Sequence, residues 1–277
     1  MFIIDVLTAL AVVVAIALIF GILLALCISL FGVKEDEKTK QIRAALPGIN
    51  CGACGFKGCN DYAAAIASGA AKPNLCVPGA ESTTKELSEL LGVEVEEIKD
   101  VIAFVQCNGS CGNALKKAVY DGVQSCKACS AMYGGDKACN YGCIGCGECA
   151  SVCISHAITM IGGVAVVDTS KCLGCGLCTK TCPKKLITMI PQEAAVAVYC
   201  NSKDKGADAR KACKNACIGC KKCEKACPNN AITIIDNCAK IDYSKCSGCG
   251  ACAEGCPTGC LKKAVFPDIP EDFVCKI

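Results

Sequence analysis

The fold is decided by residues 143–153, CIGCGECASVC, in a chain of 277 residues. The four cysteines of this run are separated by two, two and three residues, and the same spacing recurs at 172–182, 217–227 and 246–256. Such runs are the ligand pattern of ferredoxins that bind two [4Fe–4S] clusters. Four runs therefore predict two tandem two-cluster modules.

In two-cluster ferredoxins the fourth cysteine of each run binds the other cluster. This crossover predicts two ligand sets in a first module, residues 143–190, and two in a second module, residues 217–265. Between the runs, β-branched residues alternate around Gly162-Gly163 and Asp236-Asn237, which predicts one hairpin in each module. The four sets are set 1, Cys143, Cys146, Cys149 and Cys182; set 2, Cys172, Cys175, Cys178 and Cys153; set 3, Cys217, Cys220, Cys223 and Cys256; and set 4, Cys246, Cys249, Cys252 and Cys227.

The cysteine pattern also contains an internal repeat. A shift of 74 positions maps ten cysteines onto other cysteines without a gap, which indicates a duplication. Under this mapping Cys126 and Cys139 correspond to Cys200 and Cys213, so the repeated unit begins before the ligand runs. The ten cysteines are Cys126, Cys139, Cys143, Cys146, Cys149, Cys153, Cys172, Cys175, Cys178 and Cys182.

Composition argues against two other uses of cysteine. The 31 cysteines are an odd number, no cleavable signal peptide is visible, and clustered CxxC cysteines are more typical of metal or redox sites than of disulfide scaffolds. Structural zinc uses isolated CxxC pairs, whereas the third and fourth cysteines of these runs fit [4Fe–4S] ligation. Because aromatic residues make up only 5 %, the clusters are expected to act as cores and to contribute folding free energy.

The N-terminus predicts a membrane anchor over residues 1–33. Val6 to Phe31 is almost unbroken apolar sequence, long enough for a helix to cross a bilayer. A signal peptide would need a basic start and a cleavage site, and neither is present. Residues 34–46 are expected to be a charged linker. Its lysines and arginine place the following domains on the cytoplasmic side of a single-pass protein in the cell membrane.

Residues 47–80 predict a small helical domain with its own cluster. Cys51, Cys54 and Cys59 are separated by glycines that let the backbone wrap around a cluster, and Cys76 completes four thiols. These four cysteines are the N-terminal set, and 61–71 is expected to be a helix. Residues 81–106 follow as a spacer of two linked helices, because their apolar residues keep helical spacing.

A cysteine-rich preface, residues 107–142, precedes the first module, and a connecting segment, 191–216, precedes the second. The preface suggests an additional cluster on Cys107, Cys111, Cys126 and Cys139, with a set of buried free thiols as the alternative. At least five [4Fe–4S] clusters are therefore expected, and six or more are possible. Residues 266–277 form a C-terminal tail.

These observations predict an α+β chain: an N-terminal transmembrane helix, a small helical [4Fe–4S] domain and tandem two-cluster ferredoxin-like modules. No GxGxxG follows a strand, so the sequence shows no nucleotide pocket, and no catalytic residue is expected. Between Lys171 and Cys227 there are 12 basic and 4 acidic residues, either a solvated face or a docking site for an acidic protein such as a soluble ferredoxin. Nucleic acid is not expected, because aromatic residues are not interleaved with the basic ones.

The order of these parts closely resembles one family, the B subunits of the Rnf complex, a membrane ferredoxin:NAD oxidoreductase. The resemblance rests on the anchor, on GINCGACGFKGC in 48–59, on KACNYGCIGCGEC in 137–149 and on CNSKDKG in 200–206. It implies an electron-relay subunit that accepts electrons from reduced soluble ferredoxin and passes them toward flavin and membrane subunits. In that family the electron flow is coupled to Na+ or H+ translocation and NAD+ reduction. Ile154 departs from the proline that is usual after the fourth cysteine.

Two other interpretations stay open from the residues. The chain could be a membrane-tethered polyferredoxin of a hydrogenase or of a system that reduces a regulator. It could also be an iron–sulfur redox sensor, although no kinase, output or DNA-binding segment is visible.

Overall fold

The computed structural model of the protein describes residues 2–31, 36–93 and 100–264. Its described strands form four separate two-stranded antiparallel sheets, β1–β4, β2–β3, β5–β8 and β6–β7, which confirms the α+β prediction. The elements are α1 Phe2–Phe31, α2 Glu37–Ala45, α3 Cys59–Ala67, α4 Ala80–Leu91, β1 Val101–Val105, α5 Cys126–Ala131, α6 Glu148–Ser151, β2 Ile158–Ile161, β3 Val164–Val167, α7 Leu177–Thr181, β4 Ile187–Pro191, β5 Val196–Val198, α8 Gly206–Ala212, α9 Lys222–Ala226, β6 Ile232–Ile235, β7 Cys238–Ile241, α10 Ala251–Glu254 and β8 Leu261–Lys263.

Helix α1 has the properties of a membrane anchor. Its segment Leu10–Cys27 has a mean hydropathy of 3.2 and none of it is buried by the rest of the chain. A helix of this length and composition is long enough to cross a bilayer. The exposed apolar side chains of α1 would otherwise face water, so the helix fits membrane anchoring.

Helices α2, α3 and α4 form the first domain. Ile42, Tyr62 and Leu87, one from each helix, are fully buried in one core that also contains Cys76. Residues 37–45 were expected to belong to a linker, and that expectation is wrong, because Ile42 and Ala45 turn one face of α2 into this core. Helix α3 begins at Cys59 and ends at Ala67, rather than spanning 61–71.

Strand β1 corrects the prediction of a second helix before the ferredoxin modules. Residues 101–105 form a strand that pairs with β4, with Val105 opposite Ile187. Ile102, Phe104 and Val105 favour a strand when a partner edge is available, and this tertiary pairing overrides the helical spacing of the apolar residues. Residues 94–99 of the same predicted helix lie outside the described residues, as does the tail 266–277.

The hairpin predicted in each module is confirmed. Strand β2 pairs with β3 around Gly162-Gly163, and β6 pairs with β7 around Asp236-Asn237. Each hairpin packs into a core that includes cysteines of its own module. Cluster ligands and apolar side chains therefore share one core in each module.

The sheets reveal how the two copies of the repeat correspond. Leu186 and Cys260 are 74 positions apart, and their carbonyls accept hydrogen bonds from Gln106 N (2.8 Å) and Tyr199 N (2.7 Å) respectively. Gln106 and Tyr199 are therefore structural equivalents, and so are the cysteines that follow them, Cys107 and Cys200. The sequences VQCN in 105–108 and VYCN in 198–201 agree with this alignment.

This alignment corrects the pairing of Cys126 with Cys200. Cys107 and Cys139 are 32 positions apart, whereas Cys200 and Cys213 are 13 apart, so the first copy holds 19 additional residues. These residues lie within 108–138, called the additional segment below, which contains α5; this helix begins at Cys126 and is capped by the Ser125 hydroxyl. Cys126 lies 74 positions before Cys200 only by coincidence.

One lysine fixes the end of this additional segment. Lys137 is 7 % exposed, and its ammonium group donates hydrogen bonds to Gly109 O (2.8 Å) and Gly163 O (2.9 Å). These bonds tie the preface to the β2–β3 turn. The counterpart 74 positions later, Lys211, is exposed and lies near Asp208 on the surface.

We expect Lys137→Met to lower the melting temperature of the full-length protein in detergent by roughly 6–24 °C, because two hydrogen bonds are lost. Each hydrogen bond from a charged donor is worth about 1.5–3 kcal/mol, and about 1 kcal/mol corresponds to 2–4 °C for a domain of this size. Lys211→Met is the control and should change the melting temperature little, because exposed ion pairs contribute little. Equal melting temperatures for the two variants would contradict the structural role of Lys137.

Candidate iron–sulfur centres

Each ligand run forms a loop in which residues with positive φ alternate with residues with negative φ. In the first run of each module the positive φ values are +97° at Gly145 and +83° at Gly147, then +62° at Gly219 and +60° at Lys221. A Cβ added at Gly145 would lie 2.9 Å from Gly163 O, so glycine is needed there for close approach as well as for conformation. This alternation turns the cysteines of one run inward toward a common volume.

The N-terminal set is brought together by α3 and the loop that follows it. Burial raises the pKa of the Cys76 thiol, and the thiols of Cys59, Cys51 and Cys54 lie close enough to raise it further electrostatically. The four cysteines of this predicted set therefore lie around one volume at the edge of the first domain's core.

Two residues that sequence reasoning missed hold this site in shape. The Tyr62 hydroxyl donates to Lys72 O (2.7 Å) and accepts from Leu75 N (2.9 Å), which fixes the loop that leads to Cys76. Burial raises the pKa of Tyr62 to about 12. Asn50 Oδ1 accepts a hydrogen bond from Cys59 N (2.8 Å) and so caps α3. Hydrogen-bond partners so distant in sequence leave no local pattern.

Sets 2 and 4 each bring together three cysteines of one run and the fourth cysteine of the other. Cys178 lies within electrostatic range of Cys172, Cys175 and Cys153, the other members of set 2. Cys252 similarly lies near Cys246, Cys227 and Cys249, the other members of set 4. The structure thus groups these cysteines in the way the crossover requires.

Set 3 surrounds a cavity of about 290 Å³. Its four cysteines line this cavity together with Pro257 and Leu261. Burial raises the pKa of Cys223 to about 11, and the thiols of Cys217, Cys220 and Cys256 lie close enough to contribute to this rise. A thiol that is protonated at neutral pH must release its proton on binding iron, so cluster insertion here would release protons.

Set 1 is less well grouped than the other three. A cavity of about 400 Å³ is lined by Cys143, Cys149 and Cys182, but by Cys126 in place of Cys146. The thiols of Cys126 and Cys129, both from the additional segment, lie within electrostatic range of Cys146. Cys126 and Cys146 therefore compete for the same corner of the first module.

The tentative ligand set of the preface is not brought together, and this prediction is wrong. Cys126 lies against set 1, and Cys111 is disulfide-bonded. Cys107 and Cys139 instead line one cavity of about 380 Å³ with Cys200 and Cys213 of the second copy. The physical reason is the additional segment, which moves Cys126 away from its apparent repeat position.

Backbone amides donate hydrogen bonds to sulfurs at several of these sites. Ala157 N donates to Cys153 Sγ (3.3 Å), and Ala231 N, 74 positions later, donates to Cys227 Sγ (3.3 Å). Ala103 N of β1 donates to Cys172 Sγ (3.4 Å). Such bonds stabilise the negative charge that thiolates carry when they bind iron, and they tune cluster potentials.

The second module adds thiol donors that the first module lacks. Cys260 Sγ lies 3.7 Å from Cys256 Sγ, and this hydrogen bond lowers the pKa of Cys256 to about 4. The Cys238 thiol donates to Cys200 O (3.2 Å) and lies close enough to Cys217 to lower the pKa of that thiol. The residues 74 positions earlier, Leu186 and Val164, are buried and apolar. Set 3 therefore lies in a more hydrogen-bonding environment than set 1.

The donor sets fit [4Fe–4S] clusters in ligand type and in number. Each predicted site offers soft thiol ligands, which are buried or half-buried except for the exposed Cys220 and Cys249. Among the described residues, no three Cys, His, Asp or Glu side chains converge closely enough to hold a single metal ion. A cubane binds its ligands at four separate corners and does not require that convergence.

The sites form a sequence in space. Cys51 of the N-terminal set lies within electrostatic range of Cys175 of set 2. Cys178 of set 2 lies near Cys149 of set 1. The first and second copies then meet at the cavity lined by Cys107 and Cys200.

Family comparisons agree with these sites. A family described as "Putative Fe-S cluster" matches residues 46–78, which contain the N-terminal set. Two families described as "4Fe-4S dicluster domain" match residues 142–186 and 216–260 in one case and residues 171–232 in the other.

Similar proteins cover most of the chain. The B subunit of the Na(+)-translocating ferredoxin:NAD(+) oxidoreductase complex of Acetobacterium woodii is 42 % identical over 82 % of this chain and 69 % of its own length. The B subunit of the proton-translocating ferredoxin:NAD(+) oxidoreductase complex of Clostridium ljungdahlii is 41 % identical over 76 % of this chain and 74 % of its own length. The B subunit of the ion-translocating oxidoreductase complex of Methanosarcina acetivorans is 39 % identical over 70 % of this chain and 74 % of its own length. The chain therefore belongs to the family of B subunits of ion-translocating ferredoxin:NAD(+) oxidoreductase complexes, the Rnf complexes.

Proposed function

We propose that this chain relays electrons from reduced soluble ferredoxin, through its iron–sulfur clusters, toward flavin-bearing subunits of a membrane complex that reduces NAD+. The observation that carries this proposal is the succession of four-thiol sites, from Cys51 through Cys175 and Cys149, in a chain of this family. The clusters would exchange one electron at a time, and the protein would supply their ligands, spacing and electrostatic environment.

The proposed ligands are the N-terminal set and sets 1 to 4. The grouping of Cys178 with Cys153 and of Cys252 with Cys227 supports the crossover on which the sets rest. For set 1 we retain Cys146, with Cys126 as the competing ligand.

We propose that the iron–sulfur domains face the cytoplasm. Lys38, Lys40 and Arg43 follow the apolar helix within α2, and basic residues next to a span favour the cytoplasmic side. The N-terminal set follows α2 directly, so it would be the cluster nearest the membrane.

The donor would dock on the second module. Lys221, Lys222 and Lys225 are exposed around the ligand loop of set 3, where Cys220 is also exposed. A basic surface beside a partly exposed cluster suits a small acidic electron carrier, because charge complementarity raises the association rate.

Iron and sulfide quantitation tests the relay. The anaerobically reconstituted full-length protein should hold at least about 20 iron and 20 sulfide per chain, four of each for five clusters. Stepwise reduction followed by EPR should then show several interacting paramagnets. An iron content near 8 would contradict the ligand sets.

We expect Cys260→Ala to lower the reduction potential of the set 3 cluster by roughly 20–60 mV. A net hydrogen bond of about 0.5–1.5 kcal/mol to a ligand sulfur favours the more negative reduced state, and it corresponds to that shift for one electron. An EPR-monitored redox titration measures the potential. Cys260→Ser keeps a donor and should stay close to wild type. Equal shifts in both variants would show that the thiol acts through packing and not through its hydrogen bond.

The double variant Lys222→Glu with Lys225→Glu should slow reduction by reduced ferredoxin about tenfold at low ionic strength. The difference should shrink at high ionic strength, because salt screens exposed charges. Stopped-flow absorbance measures the rate. Lys116→Glu with Lys127→Glu, a matched double variant on the additional segment, should keep the wild-type rate. A rate that does not depend on ionic strength in the wild-type protein would exclude this docking surface.

A further inference from the structure

Four cysteines outside the five proposed ligand sets meet where the two copies of the repeat join. Cys107 and Cys139 come from the first copy, and Cys200 and Cys213 come from the second. All four line the same cavity of about 380 Å³. Cys107, Cys200 and Cys213 are 7–8 % exposed, so these thiols are held in the interior and not on the surface.

The backbone of both copies holds this arrangement. Ala114 and Cys213 form a β-bridge, Leu115 N donates to Ala212 O (3.0 Å), and Lys214 N donates to Asn113 O (2.9 Å). A Cβ added at Gly109 would lie 3.4 Å from Cys107 Sγ and 3.9 Å from Cys213 Sγ. The sulfurs of two different copies therefore flank the same glycine, which has no side chain to separate them.

The sulfurs already accept hydrogen bonds as thiolate ligands do. Gly109 N and Cys143 N each donate to Cys107 Sγ at 3.4 Å. In the second copy, Cys217 N donates to Cys200 Sγ at 3.3 Å. Cys143 and Cys217 are 74 positions apart and are the first ligands of set 1 and set 3. In both copies, therefore, the backbone amide of the first ligand in a neighbouring cluster site donates a hydrogen bond to one of these four sulfurs.

We propose that Cys107, Cys139, Cys200 and Cys213 bind a further [4Fe–4S] cluster that links the two ferredoxin modules. The inference rests on the proposed relay function and identifies the cluster that would connect its two modules. Lys137 lines the same cavity and would place a positive charge beside the cluster. Cys143 of set 1 and Cys217 of set 3 both donate to sulfurs of this group, so the bridging cluster would be the step by which electrons cross between copies.

Each step moves one electron and makes or breaks no bond. An electron that enters set 3 from reduced ferredoxin would reduce the bridging cluster and reoxidise set 3. The bridging cluster would then reduce set 1 and return to its oxidised state. Set 2 and the N-terminal set would follow in order, and a flavin of a partner protein would be the final oxidant.

The test is metal content in full-length variants reconstituted anaerobically. The wild-type protein should hold about 24 iron and 24 sulfide per chain, four more than the five other sets require. Cys107→Ala and Cys200→Ala, one from each copy, should each lose about four iron and four sulfide, together with one EPR signal of the reduced protein. Cys111→Ala is the matched control from the same preface and should keep the wild-type content.

The outcomes separate this inference from the relay itself. A wild-type content near 20 iron, unchanged in Cys107→Ala and Cys200→Ala, would overturn the bridging cluster and leave the five-cluster relay standing. One zinc per chain, lost in both variants while iron stays near 20, would also overturn it. A content near 8 iron would overturn the relay and the inference together. If Cys107→Ala or Cys200→Ala loses all its iron, Cys139→Ala and Cys213→Ala, which leave no side-chain ligand, provide the decision, and retention of about 24 iron in both contradicts the site.

Discussion

The structure depends on bringing thiols from distant parts of the chain to the same point. A cluster that takes three cysteines from one run and the fourth from another locks the two halves of a module together, as a hydrophobic core does in a larger domain. The aromatic content is low, and ligand cysteines such as Cys149, Cys178 and Cys223 occur inside the apolar cores. Cluster binding is therefore expected to contribute folding free energy to these modules.

The constraint extends to the backbone. Sulfurs that carry negative charge need donors, and the nearest donors are amides of the ligand loops, such as Ala157 N and Ala231 N. Each of those two amides follows a residue with positive φ, His156 (+51°) or Asn230 (+49°), and the ligand runs also adopt positive φ at the glycines 145, 147, 174, 176, 219, 248 and 250. Lys221 shows that the conformation, and not the residue type, is what the loop requires.

Much of this organisation was predictable from the sequence because ligand spacing and hairpin patterns are local. The anchor, the two hairpins and the composition of the cysteine runs follow from residues adjacent in the chain. Strand β1 was not predictable in this way, because Val101–Val105 becomes a strand only when β4 provides an edge. The packing of α2 was not predictable for the same reason: its charged face is visible in the sequence, whereas the burial of Ile42 depends on α3 and α4.

The preface shows where a sequence repeat misleads. A gapless shift of 74 positions relates Cys126 to Cys200, but the register of the sheets relates Cys107 to Cys200. An insertion displaces residues along the chain without displacing them in space. The pairing of strands reveals the difference, and it explains why Cys107, Cys139, Cys200 and Cys213 line one cavity.

The additional segment and this shared cavity bear on the history of the chain. One copy of the repeat carries two of the four thiols and cannot surround the cavity alone. Before the duplication, a second molecule would have had to contribute the other two, so the ancestral unit would have been complete only as a pair. Within one chain the two copies are always paired, and each has its own features: α5 occurs in the first, and Cys238 and Cys260 occur in the second.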